Sequence, residues 1–261
     1  AVLASKILLT NQLKCEDAGE LLEYIGCKLD KDVERRTMKI TQPVLLQSLK
    51  DEFELPDREY TIPAPAGEVL HPDNPGDELL DPSRQSKYRS GVGKLMHMAK
   101  WSRPDILNSV RELPKFMTIP RQSHLKAMLR CMKYVVLTPD VGLVLKSKRK
   151  WDGKDKNFEF EISGMADDEY AKDTESRRSV SGYCTFLEGA VVSAKSKQQR
   201  CVTLSTTEAE LMAMTDCVQD MMFIRDVLQS MELKVKFPMV ICCDNKGAVN
   251  LVNNWLTNGR T

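Results

Sequence analysis

The sequence predicts an α/β protein of the α+β kind, with a mixed sheet near its C-terminus behind a mainly helical middle. Three observations predict it. The last third reads strand, strand, strand, helix, strand, helix. From about Ser86 to Leu137, apolar residues recur at helical spacing, punctuated by Pro104 and Pro114. Near the N-terminus, two β-like runs flank a short charged link.

Taken in order, "LLEYIGCKLD" and "RRTMKI" pair as a hairpin across "KDVE". Thr41 is the expected N-cap of a helix over "TQPVLLQSLKDEF", with Pro43 in its first turn. The Pro-, Gly- and Asp-rich run "LPDREYTIPAPAGEVLHPDNPGDELLDPS" has no sustained period and reads as an extended connector. Three helices follow: "SKYRSGVGKLMHMAKWS", then "PDILNSVRELPKFM", kinked or ended by Pro114, then "SHLKAMLRCMKYVVL", stopped at Thr138-Pro139. "VGLVLKS" returns as a strand. "KSKRKWDGKDKN" reads as a solvated linker, with a phosphate-binding patch as the alternative, and marks a boundary near Trp151. The expected units are therefore residues 1–60, 61–150 and 151–261.

In the last unit, "FEFEIS" alternates strictly and runs into "GMADDEYAKD". "RSVSGYCTFLEG" and "AVVSAKS" form a hairpin turning at Glu188-Gly189. A long helix runs from Ser205 to about Met231, its start marked by the S-x-x-E capping box of Ser205 and Glu208. Leu211, Met214, Val218 and Met221 are its expected core stripe. "PMVICCD" reads as a buried strand and "NKGAVNLVNNWL" as a second helix.

Composition excludes several classes. The 261 residues can bury one large core or two modest ones. With 38 Lys and Arg against 37 Asp and Glu, the net charge of +1 excludes a generally basic nucleic-acid coat but leaves room for a local basic groove. No apolar run approaches the roughly 20 residues of a membrane span, and "AVLASKILLT" lacks the pattern of a secretory signal. Eight Cys form no C-x-x-C pair and three His do not cluster with them. The expectation is reduced thiols in an intracellular, reducing compartment, without a disulfide framework or zinc site. There is no G-x-S-x-G elbow and no His in the C-terminal half, so an unrelated α/β hydrolase finds no support.

The carboxylates give the chemistry. Glu210 projects beside the stripe of the long helix, where an ionised carboxylate needs a partner. Asp167 and Asp244 stand at the C-terminal ends of two strands. If these strands are parallel neighbours joined by a right-handed crossover containing the long helix, all three carboxylates meet at one sheet edge. They repel one another unless cations neutralise them, and oxygen-only ligands suit Mg²⁺ or Mn²⁺.

The segments "GMADDEYAKDTESRRSVSGYCTFLEGAVVSAKSKQQRCVTLSTTEAELMAM" and "ICCDNKGAVNLV" closely resemble the ribonuclease H domain of copia-type (Pseudoviridae) retrotransposon polyproteins. That family carries an S-D-A-D-like strand end, then R-x-S-x-S-G-Y, S-K-K-Q, S-T-x-A-E and C-D-N. "CEDAGELLEYIGCKL", "YRSGVGKLMHMAKWSRPDI" and "PRQSHLKAMLRCMKYVVLTPDVGLVL" look like the same polyprotein's reverse transcriptase, past its catalytic palm motif. The resemblance implies a ribonuclease H-like mixed sheet of the five-stranded type, a helical thumb or connection region, and a hairpin remnant of the palm. It implies that Asp167, Glu210 and Asp244 hold two Mg²⁺ (or Mn²⁺) ions and cleave the RNA strand of an RNA–DNA hybrid. Ser196, Lys197 and Gln199, in the S-K-K-Q-like stretch, and Asn245, after the last Asp, either contact the nucleic-acid backbone or serve a surface role at the hairpin end. The implied compartment is cytoplasmic or nuclear.

Four departures qualify this. D-A-D is Asp167-Asp168-Glu169 here, and the Trp usual before S-K-K-Q is Ala194. The family continues after "GRT" with K-H-I-D, whereas this sequence stops at Thr261, and it begins past the Y-x-D-D polymerase motif. The expectation is a C-terminally truncated nuclease unit without polymerase chemistry. The competing expectation is a domesticated, non-catalytic structural or nucleic-acid-binding subunit of a larger assembly.

Overall fold

The computed structural model describes residues 10–254, apart from 14, 17–18, 74 and 174–175. The first nine residues of "AVLASKILLT" and the Trp255-Leu256 end of the expected last helix lie outside the described residues. The architecture is mixed α/β, as the sequence predicts.

Three short strands open it: β1 (Glu23–Tyr24), β2 (Cys27–Asp32) and β3 (Thr37–Thr41). The "KDVE" hairpin forms between β2 and β3, and Arg36 takes the left-handed conformation at its end (φ 52°). Helix α1 (Pro43–Glu52) begins one residue later than expected. Thr41 completes the β3 ladder, so Gln42 becomes the N-cap, without a side-chain capping bond. The connector holds no helix and is fastened rather than loose. Arg121 donates to the Pro72 and Asp77 carbonyls (both 2.7 Å), and a ring nitrogen of His124 meets the His71 carbonyl at 2.9 Å.

Helix α2 (Pro82–Trp101) starts at Asp81, whose side chain accepts from the Arg84 N–H. A 3₁₀ turn (Pro104–Ile106) leads into α3 (Leu107–Glu112), and a second 3₁₀ turn (Leu113–Phe116) absorbs Pro114, whose missing N–H ends the α ladder. Helix α4 (Gln122–Leu137) closes at Thr138. Tyr88, Val92, Leu95, Met128 and Met132 form the centre of the helical core, with Leu55 and Leu70 of the connector packed against it. Strand β4 (Leu143–Lys146) then returns to pair with β3, giving an antiparallel sheet ordered β1-β2-β3-β4.

The second core belongs to the C-terminal unit: β5 (Glu159–Phe160), β6 (Ile162–Glu169), β7 (Val180–Leu187), β8 (Ala190–Gln198), α5 (Thr206–Ser230), β9 (Lys234–Val235), β10 (Val240–Cys242) and α6 (Lys246–Asn254). Among the described residues its main sheet has four strands, ordered β10-β6-β7-β8, with β10 parallel to β6 and the other neighbours antiparallel. "FEFEIS" is not one strand. The buried Glu188 carboxylate accepts the Glu161 N–H (2.7 Å) and the Glu188 N–H donates back to the Glu161 carbonyl (2.9 Å), which breaks the run. β5 pairs instead with β9. Glu188 and Gly189 both have positive φ (50° and 78°), as a two-residue hairpin turn requires.

The expected linker around Trp151 is docked. Arg149 forms a two-pronged ion pair with Glu188, and Trp151 packs against Phe158 and Phe160. Arg111 donates to Ser196 Oγ (3.1 Å) and Lys115 pairs with Asp173 (2.8 Å), joining the helical unit to the sheet unit.

Candidate metal centre

Helix α5 starts where the capping box predicts. Ser205 Oγ accepts from the Glu208 N–H, and Glu208 reaches back to the Leu204 N–H (2.7 Å). Its buried line differs from the expected stripe. Ala209, Glu210, Ala213, Cys217, Met221 and Leu228 are buried, whereas Val218 is exposed and Leu211 and Met214 are only half-buried. Small residues make the difference. Gly164 of β6 lies so close to α5 that an added Cβ would sit 2.5 Å from Cys217 Sγ and 2.9 Å from Met221 Sδ. Glu210 therefore lies in the buried line itself, only 5% exposed.

Asp244 follows β10 at the same edge. One ligand atom each from Glu210, Cys243 and Asp244 falls within 4.8 Å of the others, and the Cys243 thiol donates to Glu210 at 3.6 Å. Asn245 Oδ1 accepts from the Ala248 N–H (3.0 Å) and caps α6, fixing the backbone that carries Asp244.

Strand β6 brings two carboxylates. Ile162, Gly164 and Ala166 are buried while Met165 and Asp167 are exposed, so the even positions face α5. Asp168 follows that parity and its carboxyl approaches Glu210; neither Asp167 nor Asp168 belongs to the tight group formed by Glu210, Cys243 and Asp244. The structure thus brings together Glu210 and Asp244 of the three expected ligands, and turns Asp167 toward a cleft of about 860 Å³. That cleft lies between the Pro104–Asn108 segment and the sheet, and Asp168, Cys243, Asp244, Lys195 and Ser196 also line it.

The electrostatics follow from burial. Desolvation, with the negative charges of Asp168, Asp167 and Asp244 added, pushes Glu210 up to about 7. Desolvation chiefly raises Asp168 to about 6, opposed by a hydrogen bond with Glu210 and helped by the charges of Asp167, Asp244 and Glu169, and its Oδ2 is buried without a hydrogen-bond partner of its own. A buried orphan oxygen among like charges fits a divalent cation: the cation would neutralise the charge and fill the missing contact.

The remaining expected contacts are engaged within the protein. Ser196 accepts from Arg111, and Lys197 pairs with Asp216 (2.8 Å). Gln199 is only 3% exposed and donates to Ser181 Oγ (3.0 Å) and the Ala209 carbonyl (2.9 Å), tying the end of β8 to the first turns of α5. Sequence reasoning passed over Asp168 and Cys243. The period of two along β6 was the signal for the first; nothing in the sequence places the thiol against Glu210.

A carboxylate-lined edge between parallel neighbouring strands, covered by a crossover helix, is the arrangement of a ribonuclease H-like α+β unit. The comparisons agree, and the chain belongs to the family of copia-type retrotransposon Pol polyproteins. Over 179 residues, 69% of this chain, it is 34% identical to the retrovirus-related Pol polyprotein from transposon RE1 of Arabidopsis thaliana. Over 256 residues, 97% of this chain, it is 27% identical to the corresponding polyprotein from transposon TNT 1-94 of Nicotiana tabacum. It spans only 11% and 18% of those two proteins. It is also 36% identical over 137 residues to secreted RxLR effector protein 161 of Plasmopara viticola, covering 52% of this chain and 90% of that protein. No family model matches the chain, and no solved structure matches it. Among the described residues, no helix is long and apolar enough to cross a membrane.

Proposed function

We propose that this retroelement-derived polyprotein region is a ribonuclease H module that cleaves the RNA strand of an RNA–DNA hybrid by two-metal hydrolysis with Mg²⁺ or Mn²⁺. The observation that carries the reading is the buried Glu210 carboxylate, set within reach of Asp244 and Cys243 and beside the carboxylates of β6. Such a group belongs to a cation site more readily than to a core. Glu210, Asp244 and a β6 carboxylate would hold the metals, which when bound activate water and neutralise the leaving oxygen. The chain's own part is positioning. The capped start of α5 and its tie to Gln199 hold Glu210, and the Asn245 cap holds Asp244.

The test is a labelled RNA–DNA hybrid incubated with the purified chain and Mg²⁺ or Mn²⁺. Cleavage of the RNA strand is expected, with Glu210→Gln and Asp244→Asn each losing orders of magnitude in rate, because the metals act as a unit. The second reading is a non-catalytic structural or nucleic-acid-binding subunit. Its structural form is favoured by the engagement of Lys195, Lys197 and Arg111 with Asp220, Asp216 and Ser196, which takes cations near the site away from phosphate. Absence of both cleavage and hybrid binding at any metal concentration would select the structural form, and hybrid binding without cleavage the nucleic-acid-binding one.

A further inference from the structure

The start of α4 carries Arg121, Ser123 and His124, and all three are turned to the connector. Arg121 reaches the Pro72 and Asp77 carbonyls and the Asp73 carboxylate. Ser123 gives both its N–H and its hydroxyl to the Asp77 carboxylate. Backbone bonds run beside them, from the Gln122 N–H to the Glu78 carbonyl and from the Leu80 N–H to the Pro120 carbonyl (both 3.0 Å). His124 completes this clasp. It is 0% exposed, and its ring stacks on Phe116 with the centroids 3.9 Å apart.

The neighbours of His124 fix its charge state. Its Nδ1 lies 3.0 Å from the Arg121 backbone N–H, which can only donate. Its Nε2 lies 2.9 Å from the His71 carbonyl, which can only accept. Both bonds exist together only in the neutral ring with its proton on Nε2. A second proton, on Nδ1, would set donor against donor and leave the Arg121 N–H without an acceptor. We propose that His124 is a proton-operated pin: neutral, it holds the connector on α4; protonated, it lets the connector loosen from that helix. The pin is independent of the cation site.

Burial and the Arg121 guanidinium hold the ring below its usual value of 6.5. The His71 carbonyl and the Asp77 carboxylate oppose them, as does the face of Phe116, which attracts a cation. The other titratable groups on the adjoining elements are the His71 ring and Asp73 on the connector, Glu112 on α3, Lys115 on the turn that carries Phe116, and Arg89 on α2. Asp73 is held by Arg121, Lys115 lies between Glu112 and Asp173, and Arg89 donates to the Met117 carbonyl.

Loosening has a place to act. Leu70 of the connector packs on the helical core. His71 and Pro72 line a cavity of about 180 Å³ together with Lys115 and Asp173, the pair that joins the two units. A released connector therefore weakens one wall of that seam.

Amide hydrogen exchange of the full chain between about pH 8 and 5 tests the pin. The reporters are the N–H groups of Leu80, Arg121, Gln122 and Ser123, each bonded within the clasp. Because the folded value is depressed, the pin's contribution is full above 6.5 and is lost as pH falls toward the folded value. Corrected for the intrinsic pH dependence of exchange, opening at these amides should rise by up to about tenfold for each pH unit across that window. His124→Gln cannot gain the charge and should abolish the rise, whereas His71→Gln should keep it. Glu210 titrates in the same range, but its effect belongs to the sheet unit and would persist in His124→Gln. An NMR titration of the wild-type ring needs no variant: neutral His124 should carry its proton on Nε2 and titrate below 6.5. Clasp amides indifferent to pH, the same rise in His124→Gln, or a ring protonated on Nδ1 when neutral would each overturn the proposal.

Discussion

Arg103 of the helical unit and Glu210 of the sheet unit are both buried charged groups, and the protein treats them in opposite ways; Glu188, paired with Arg149, sides with Arg103. Arg103 of the helical unit is 2% exposed. Its guanidinium donates to both Asp105 oxygens, to the Thr138 carbonyl (3.0 Å) and to Thr138 Oγ1 (2.8 Å), and it lies over the Tyr134 ring. Glu210 of the sheet unit is equally hidden but faces other carboxylates and a thiol. A buried charge with complete partners holds a structure together; one without them costs solvation energy unless it takes up a proton or meets a cation. On the proposed cation-site reading, this contrast separates architectural polar groups from functional ones better than burial alone does.

The sharpest way to break the contrast is to neutralise each charge. Arg103→Met leaves two Thr138 oxygens without their donor and Asp105 with only the Tyr134 hydroxyl (3.1 Å). Removing one partner of a buried pair costs about 3–5 kcal/mol. Asp105 keeps 32% of its side chain in water, so the lower end is expected. Denaturant unfolding measures it. A loss under about 1 kcal/mol would mean that the network is decorative and the comparison unsound.

The next effect lies at the contact that sets Glu210's depth. Gly164→Ala drives a methyl toward Cys217 and Met221. Overpacking of this kind costs roughly 1–3 kcal/mol. If α5 is free to shift outward, the melting temperature will barely change and Glu210 will become more exposed. That result would argue against a rigidly positioned carboxylate.

Glu210 itself should show the opposite sign to Arg103. Its folded pKa of about 7 lies above its ordinary value of 4.5, so the fold favours the protonated acid. That stabilisation is full below 4.5 and is lost as pH rises through about 7. In metal-free protein, Glu210→Gln should match wild type in melting temperature near pH 4.5 and exceed it by a growing margin toward pH 8. Mn²⁺ should stabilise wild type and not the variant. A pH-independent difference between the two would remove the electrostatic strain from the account.

How legible was this from the sequence? Element type was legible wherever local chemistry is decisive: the Ser205–Glu208 box, the Glu188-Gly189 turn and the stop at Thr138-Pro139 all stand where they were read. The split of "FEFEIS" was not, because Glu188, 27 residues from Glu161, causes it. The face of α5 was misjudged for a related reason. Large apolar residues mark a stripe in sequence, but Ala213 and Cys217 mark the actual line of contact because β6 approaches through Gly164. Glu210 and Asp244 were legible as a pair from strand-end and helix-start positions. That Asp167 and Asp168 stand on opposite faces of β6 needed the strand's phase, which is set by packing against a distant helix.

The smallest expected effect concerns the seam between the units. Lys115, half-buried, lies between Glu112 and Asp173 (2.8 Å to each) and holds the Asp173 carboxyl well below its usual range. Because the folded Asp173 pKa is depressed, this tie contributes above its ordinary value of 3.8 and weakens only as pH falls below it. At neutral pH, Lys115→Met should therefore cost about 0.2–1 kcal/mol, and less in high salt. The same change made together with Arg111→Met removes the Ser196 contact as well. If these two side chains dock the helical unit across the cleft, the double variant should be cut by protease between the units sooner than either single one, with both cores still folded. Should the double variant resist protease as wild type does, the seam is held elsewhere, with Arg149 and Glu188 the next pair to break. Earlier cutting inside α4 instead would show that Arg111 and Lys115 support the helical core, placing them with Arg103 on the architectural side.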